Sequence, residues 1–321
     1  MFLALAAIGL ASCNGGFKKG DAGLLYNIIV DKAGPSIQPG DFIAVNFIIK
    51  NDADSVLASS YETGNPAPQI VQKSNAKGDV ISGLMLLSEG DSAVFKTNID
   101  SLTKGAPRQA GLKGKYMVYV IKVEKVIAKG NLSDDVFKGR YMAYFKSMGD
   151  AAKKQEPIKM KKYITDNNLK VTTTASGLNY VITKEGTGPK PALGDSVVVN
   201  YVGKFVNGKV FDTNIKDEAV KGKIPINPMD AGKFKPAHMV IGPNRVIEGW
   251  NEGLPLMSKG SKATFVVPSS LGYGEQGYQS IPPFTPLVFE IELIDFSHPN
   301  PNTPAPVSAI PPVQKPLAGK K

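Results

Sequence analysis

The sequence predicts an α+β protein built twice on one plan: a curved antiparallel sheet wrapped around a short helix, with a helical linker joining the two copies. Three observations predict it. The chain carries 33 glycines and 24 prolines in 321 residues, a density of turn formers that favours short strands over long helices. An ungapped internal repeat aligns "GLLYNIIVDKAGPSIQPGDFIAVNFI" (Gly23 to Ile48) with "GLNYVITKEGTGPKPALGDSVVVNYV" (Gly177 to Val202). A second matched pair, "SGLMLLSEGDSAVF" (Ser82 to Phe95) and "EGLPLMSKGSKATF" (Glu252 to Phe265), follows, and "MVYVIKVEKV" mirrors "LVFEIELIDF". A repeat of roughly a hundred residues is too long for a solenoid and reads as tandem domains.

From the amino terminus, "MFLALAAIGLASCNGG" is an apolar run too short for a permanent membrane helix and ends in small residues, as a signal-peptide cleavage region does. Leu10-Ala11-Ser12-Cys13 resembles a bacterial lipobox, with Cys13 the only cysteine. The resemblance implies cleavage before Cys13 and lipid attachment to its thiol, although no Lys or Arg precedes the apolar run. The expected order is then a signal peptide over 1–12 and a flexible tether over 13–22. The first sheet domain spans 23–129, the helical linker 130–170, the second domain 171–296 and a Pro-rich disordered tail 297–321.

Within each copy, short runs alternate apolar and polar residues between turn signals. In the last strand, Leu287, Phe289, Ile291 and Leu293 alternate with Val288, Glu290, Glu292 and Ile294, so one face is apolar. "VIEGWNEGLPLMS" puts Ile247, Trp250 and Leu254 at helical spacing and supplies the short helix. In the linker, Ser133 with Asp134 and Asp135 predicts a helix start. Phe137, Tyr141, Tyr144, Phe145 and Met148 then form an amphipathic stripe. Pro157 suits the first turn of a second helix, with Met160, Tyr163 and Ile164 on its apolar side. The stripe is expected to pack on a neighbouring domain; the alternative is a homodimer contact through the linker helix.

Composition narrows the chemistry. The net charge is +10, but the lysines are scattered and no basic run is interleaved with aromatics, so nucleic acid is not an expected partner. Two histidines, His238 and His298, and one cysteine exclude a Cys/His zinc site, a disulfide framework and a Cys-His nucleophile. One loop stands out. In "LGYGEQGYQSIPPF", Tyr273, Tyr278 and Ile281 sit among glycines ahead of Pro282-Pro283, too apolar a set for a loop with nothing to hold.

From about Thr174 to Phe296 the second copy resembles the FKBP-type peptidyl-prolyl isomerases. The resemblance rests on three motifs in order: "GDSVVVNYVGKFVNGKVFDTN", "VIEGWNEGLPLMSKGSKATFVVPSSLGYG" and "IPPFTPLVFEIELI". It implies a proline-binding aromatic pocket made by Tyr201, Phe211, Val246, Trp250, Ile281 and Phe289. It also implies that the Ile247 backbone N–H and the Tyr273 hydroxyl donate to substrate carbonyls, with Asp212 beside the rotating carbonyl. Catalysis would be non-covalent and without a cofactor: an X-Pro amide resists rotation by ~18–20 kcal/mol, and a dry pocket favours its less polar, twisted form. The expected partners are proline-containing unfolded or partly folded polypeptides. The expected location is the bacterial cell envelope, extracytoplasmic and lipid-anchored.

Two departures mark the second copy. The stretch between Asp212 and Gly242 is longer than the family's minimum, and its usual aromatic aligns with Ala237, with Phe234 as the nearby substitute. The first copy departs further. Val80 falls at the tryptophan position, "KNDADSVLASSYETG" replaces the Phe-Asp motif, and "SLTKGAPRQAGLKGK" replaces the tyrosine loop. It reads as a degenerate, non-catalytic domain. The alternative function for the whole chain is an FKBP-fold chaperone or binding lipoprotein with little turnover; a purely structural lipoprotein is a third reading.

Overall fold

The structure is a computed structural model and describes residues 16–62, 64–74, 78–103, 114–224, 226 and 232–299. The lipobox with Cys13 and most of the Pro-rich tail lie outside the described residues. The chain divides into two compact units that part between Tyr144 and Phe145.

The first unit contains β1 (Lys18–Lys19), β2 (Leu25–Val30), β3 (Phe42–Asn51), β4 (Val56–Ser59), β5 (Ala67–Ile70), α1 (Val80–Leu84), β6 (Ser92–Asn98), α2 (Ile99–Thr103) and β7 (Tyr116–Ile127). Its sheet runs β1-β2-β6-β7-β3-β4, with β5 also on β3. Residues expected as tether thus include an edge strand, since Lys18 and Lys19 pair with Tyr26 and Leu25.

α3 (Asp134–Asp166) spans the division. The second unit then adds β8 (Thr172–Thr173), β9 (Asn179–Lys184), β10 (Ser196–Phe205), β11 (Val210–Thr213), α4 (Lys216–Lys221), β12 (Ala237–Val240), α5 (Glu248–Gly253), β13 (Lys262–Val267) and β14 (Leu287–Ser297). Its sheet runs β11-β10-β14-β13-β9-β8, with β12 on β10. This is the strand order of the first unit, element for element. All pairings in both sheets are antiparallel.

The likeness extends to irregularities. The β3–β7 ladder slips between Ala44 and Val45, and the β10–β14 ladder slips between Val198 and Val199, at the corresponding repeat position. Such a bulge bends a strand and increases its twist, which helps a sheet curl around a helix. In each unit a glycine at the end of the short helix lets the sheet approach. A Cβ on Gly83 would lie 2.6 Å from the Phe95 ring, and one on Gly253 would run into the Phe265 ring. Phe95 and Phe265 are both fully buried and centre the two cores.

The helical stretch differs from expectation at Pro157, which lies inside one continuous helix of 33 residues rather than opening a second. An interior proline costs about 3 kcal/mol relative to alanine. Packing on both sides of it offsets that cost. Before it, Phe137, Tyr141 and Tyr144 pack with Phe42 and Ala44 of the first unit. After it, Met160, Tyr163 and Ile164 pack with Val266 and Val288 of the second. That contact explains why Val288, on the face of β14 expected to be mostly polar, is fully buried. The carboxyl end of β14 also runs further than expected: Ser297 pairs with Ser196, and His298 Nδ1 lies 2.8 Å from Asp195 Oδ1.

Candidate active site

The second unit holds a cleft of about 460 Å³ between the β10–β11 edge, the segment leading into β12, and the loop after β13. β10 turns Val197, Val199 and Tyr201 inward, because alternate residues of a strand share a face. The Tyr201 ring meets the Trp250 ring edge-on, with centroids 5.4 Å apart, and its hydroxyl donates to Asp212 Oδ2 at 2.7 Å. Asp212 sits on β11 opposite Gly203. Its other oxygen accepts from Lys233 Nζ at 2.9 Å.

An aromatic lattice backs this wall. Trp250 meets Phe289 edge-on at 5.3 Å, Phe289 meets Phe211 at 5.8 Å, and Phe211 leans on Phe205 at 5.1 Å. Gly203 makes the lattice possible, since a Cβ there would lie 2.8 Å from Phe211 and 3.1 Å from Phe289. Edge-to-face contacts of this kind are worth about 0.5–1.5 kcal/mol each beyond simple burial.

The opposite wall is the tyrosine loop. Tyr273 and Tyr278 stack at 5.3 Å, and Tyr278 and Ile281 exchange two backbone hydrogen bonds of 2.8 Å. Gly277 is required there, with φ +64° and its Cα against the Ile281 carbonyl. Burial, then the Asp212 charge, then Tyr278 push the Tyr273 hydroxyl up to about 12. Burial and the adjacent Asp212 raise Tyr201 still further. Both hydroxyls therefore stay protonated, and able to donate, throughout the physiological range.

Of the residues singled out from sequence, Tyr201, Phe211, Asp212, Tyr273 and Ile281 line the cleft. Val246, Ile247, Trp250 and Phe289 do not; they are at most 4% exposed and form the core behind it. Ile247 caps α5 in extended conformation, and its carbonyl accepts from the Trp250 and Asn251 N–H groups. Ala237 lines the cleft and Phe234 does not.

Sequence reasoning missed three contributors. Asn214 is 5% exposed. Its Oδ1 accepts from the Tyr201 N–H at 2.8 Å, and its Nδ2 donates to the carbonyls of Val199 at 2.9 Å and Lys235 at 3.0 Å. It thereby ties the cleft's two edges together. Lys233 and Lys235 also line the cleft. They lie in the long stretch after Asp212, where no motif marked them. Asn214 was within reach as the last residue of the quoted "FDTN".

The second unit is thus a wrapped sheet with a buried tryptophan behind a cleft and tyrosine hydroxyls and a carboxylate lining it. Residues 188–294, within the second unit, match the model of the FKBP-type peptidyl-prolyl cis-trans isomerase family. The chain is 39% identical over 137 residues to the FKBP-type 22 kDa peptidyl-prolyl cis-trans isomerase of Escherichia coli, covering 42% of this chain and 58% of that one. It is 38% identical over 152 residues to the isomerase FkpA of Aeromonas hydrophila, covering 47% and 49%. The chain thus spans about half the length of these relatives. Among solved structures, the isomerase of Pseudomonas syringae is similar at 35% identity, with a TM-score of 0.37 and coverage of 46% and 96%. FkpA of Escherichia coli is similar at 30%, with a TM-score of 0.41 and coverage of 53% and 76%.

Proposed function

We propose that the second unit catalyses cis–trans isomerisation of X-Pro peptide bonds in unfolded or partly folded polypeptides. The observation that carries this reading is the cleft itself: Tyr273, Ile281 and Phe211 around a Tyr201–Asp212 pair, backed by the buried Trp250. The proline ring enters the apolar space. The planar amide is polar and the twisted amide less so, so a cleft poor in water stabilises the rotating state more than the ground state. The Tyr273 hydroxyl donates to a substrate carbonyl, and Asp212 stands by the rotating carbonyl while it orders Tyr201. No bond forms or breaks. The uncatalysed step takes tens to hundreds of seconds, slow enough to limit folding.

The test is an isomerisation assay on an X-Pro peptide with the full chain. The expected result is a rate above background that falls in Asp212→Ala and Tyr273→Phe. A parent rate equal to background would overturn the reading.

The proposal extends to location and assembly. Leu10-Ala11-Ser12-Cys13 supports lipid attachment at Cys13 and an extracytoplasmic place in a bacterial envelope. Among the described residues no helix is long and apolar enough to cross a membrane. Cys13→Ser should move the protein from membrane to soluble fractions; unchanged fractionation would exclude the anchor. Val136, Met142 and Ile158 stay more than half-exposed or nearly so on α3, at 50%, 51% and 58%, and support a second copy as partner through that helix. Sedimentation of the parent against Met142→Lys tests it.

A further inference from the structure

The helix α3 does not line the cleft, yet one of its faces grips the loop that does. Gly149, Lys153 and Glu156 lie at i, i+4 and i+7, on one face. At the start of the loop the Glu156 carboxylate accepts from the Ser269 backbone N–H and, at 2.8 Å, from Ser269 Oγ. Ser269 is 5% exposed. Its own carbonyl accepts from the N–H groups of Gly272 at 2.9 Å and Gly274 at 2.8 Å. At the end of the loop the Phe284 N–H returns to the Gly274 carbonyl at 3.0 Å. The Phe284 ring would lie 3.2 Å from a Cβ on Gly149. Lys153 Nζ sits 5.6 Å over that ring and 3.8 Å from Glu275 Oε1. The loop is therefore closed on itself at Gly274 and tied to α3 at both ends.

The loop needs such a tie. Gln279 at φ 48° and Phe284 at φ 52° hold left-handed backbone without being glycine, a conformation that persists only where the surroundings enforce it. Both flank Ile281, and Gln279 follows Tyr278.

We propose that Glu156 is a positioning residue for the proline site: through Ser269 it sets Tyr273, Tyr278 and Ile281 at their distance from the Asp212 wall. The inference rests on the isomerase reading for its kinetic consequence, but not for its structural one. A carboxylate makes charge-assisted hydrogen bonds, stronger than neutral ones, and it spends both oxygens on one residue. Glutamine keeps an acceptor for the Ser269 N–H and offers an NH₂ to Oγ. Alanine keeps neither.

The experiment compares the full-length parent, Glu156→Gln and Glu156→Ala well below their melting temperatures. One measurement is hydrogen exchange at the amides of Gly274, Tyr278, Ile281 and Phe284, with those of Phe265 and Ile291 as internal controls. The other is kcat and KM on an X-Pro peptide. In Glu156→Ala the loop amides should exchange about tenfold faster while the controls do not. KM should rise, with kcat/KM down about tenfold, and Glu156→Gln should restore most of both. Unchanged loop exchange in Glu156→Ala would overturn the proposal. So would a lower melting temperature with unaltered KM and kcat, since that is the mark of a merely structural contact. If the parent itself shows no isomerase rate, the isomerase reading falls and the exchange comparison alone decides the role of Glu156.

Discussion

The two units share a strand order, a bulge position and a glycine beneath the central phenylalanine, and differ at nearly every wall of the cleft. The ladders fix the correspondence. Ile48 pairs with Ser59 in the first unit as Val202 pairs with Thr213 in the second. Phe47 therefore stands for Tyr201, Leu57 for Phe211 and Ala58 for Asp212. The register of the second matched pair, extended two residues back, sets Val80 against Trp250, and the pairings Ile49–Tyr119 and Gly203–Phe289 set Tyr119 against Phe289. One linking device survives in altered form. The Phe47 N–H donates to Ser60 Oγ at 2.9 Å, where the Tyr201 N–H donates to Asn214 Oδ1 at 2.8 Å. The serine hydroxyl turns back to Asn46 Oδ1 at 3.1 Å on the same strand, whereas the asparagine also holds the segment at Lys235. The difference teaches that the sheet is specified by residues both copies keep, and the cleft by a handful that only one has.

Replacing Trp250 by the residue of the other unit is the largest break. Trp250 is fully buried and touches both Tyr201 and Phe289, so Trp250→Val should cost about 3 kcal/mol or more and abolish X-Pro isomerisation. Val80→Ala removes far less volume and should cost about 1 kcal/mol. Denaturant melts of the two variants measure both; equal costs would show that the two helices do not do different jobs.

The shared glycines should behave alike. Gly83→Ala and Gly253→Ala each force a methyl into the Phe95 or Phe265 ring and should each destabilise by about 2 kcal/mol. A neutral result at either position in the same melts would mean that the copies solve their close approach in different ways.

Exchanging the carboxylate sharpens the comparison. Asp212→Ala should lower kcat/KM about tenfold to a hundredfold, as for loss of one preorganised polar group. Adding Ala58→Asp to that variant should recover nothing. Phe47 has no hydroxyl to meet the new carboxylate, and Leu57 is 42% exposed instead of leaning on a phenylalanine pair. Recovered rate in the double variant would show that the first unit lacks only the one residue.

These contrasts also show why the fold was more legible than the site. Strand alternation and the ungapped repeat announce two wrapped sheets, because a sheet with one buried face imposes period-two patterning on every strand. The aromatic set was legible through its motifs. What pattern could not reveal is geometry set by long-range partners. Lys233 reaches Asp212 from a stretch without periodicity. Pro157 looked like a helix start because its missing N–H is harmless there, and only packing of Met160 and Phe137 on their separate units carries the helix through it. Glu156 gave no signal either, since a glutamate on a polar helix face reads as solvated until the loop that meets it is in place.

A last contrast separates the units by pH. An unfolded tyrosine loses its proton near pH 10, whereas Tyr273 in the fold is pushed up to about 12 by burial and the Asp212 charge. Between these values the native state holds more protons than the unfolded one, so stability falls as pH rises. The contribution is complete below pH 10 and is gone once pH has passed through 12. Tyr201 adds in the same direction, and its counterpart Phe47 adds nothing. Tyr119, Tyr144 and Tyr163 are also raised, chiefly by burial, but they are common to parent and variant and cancel in a difference. Denaturant melts of the parent and Tyr273→Phe should therefore run parallel up to about pH 9.5. Above that the parent should lose ground to the variant, because it carries one more buried hydroxyl, that of Tyr273, whose proton the solvent removes from the unfolded chain first. A constant difference out to pH 11.5 would place the Tyr273 hydroxyl in water and remove the dry wall on which the cleft's preference for a twisted amide depends.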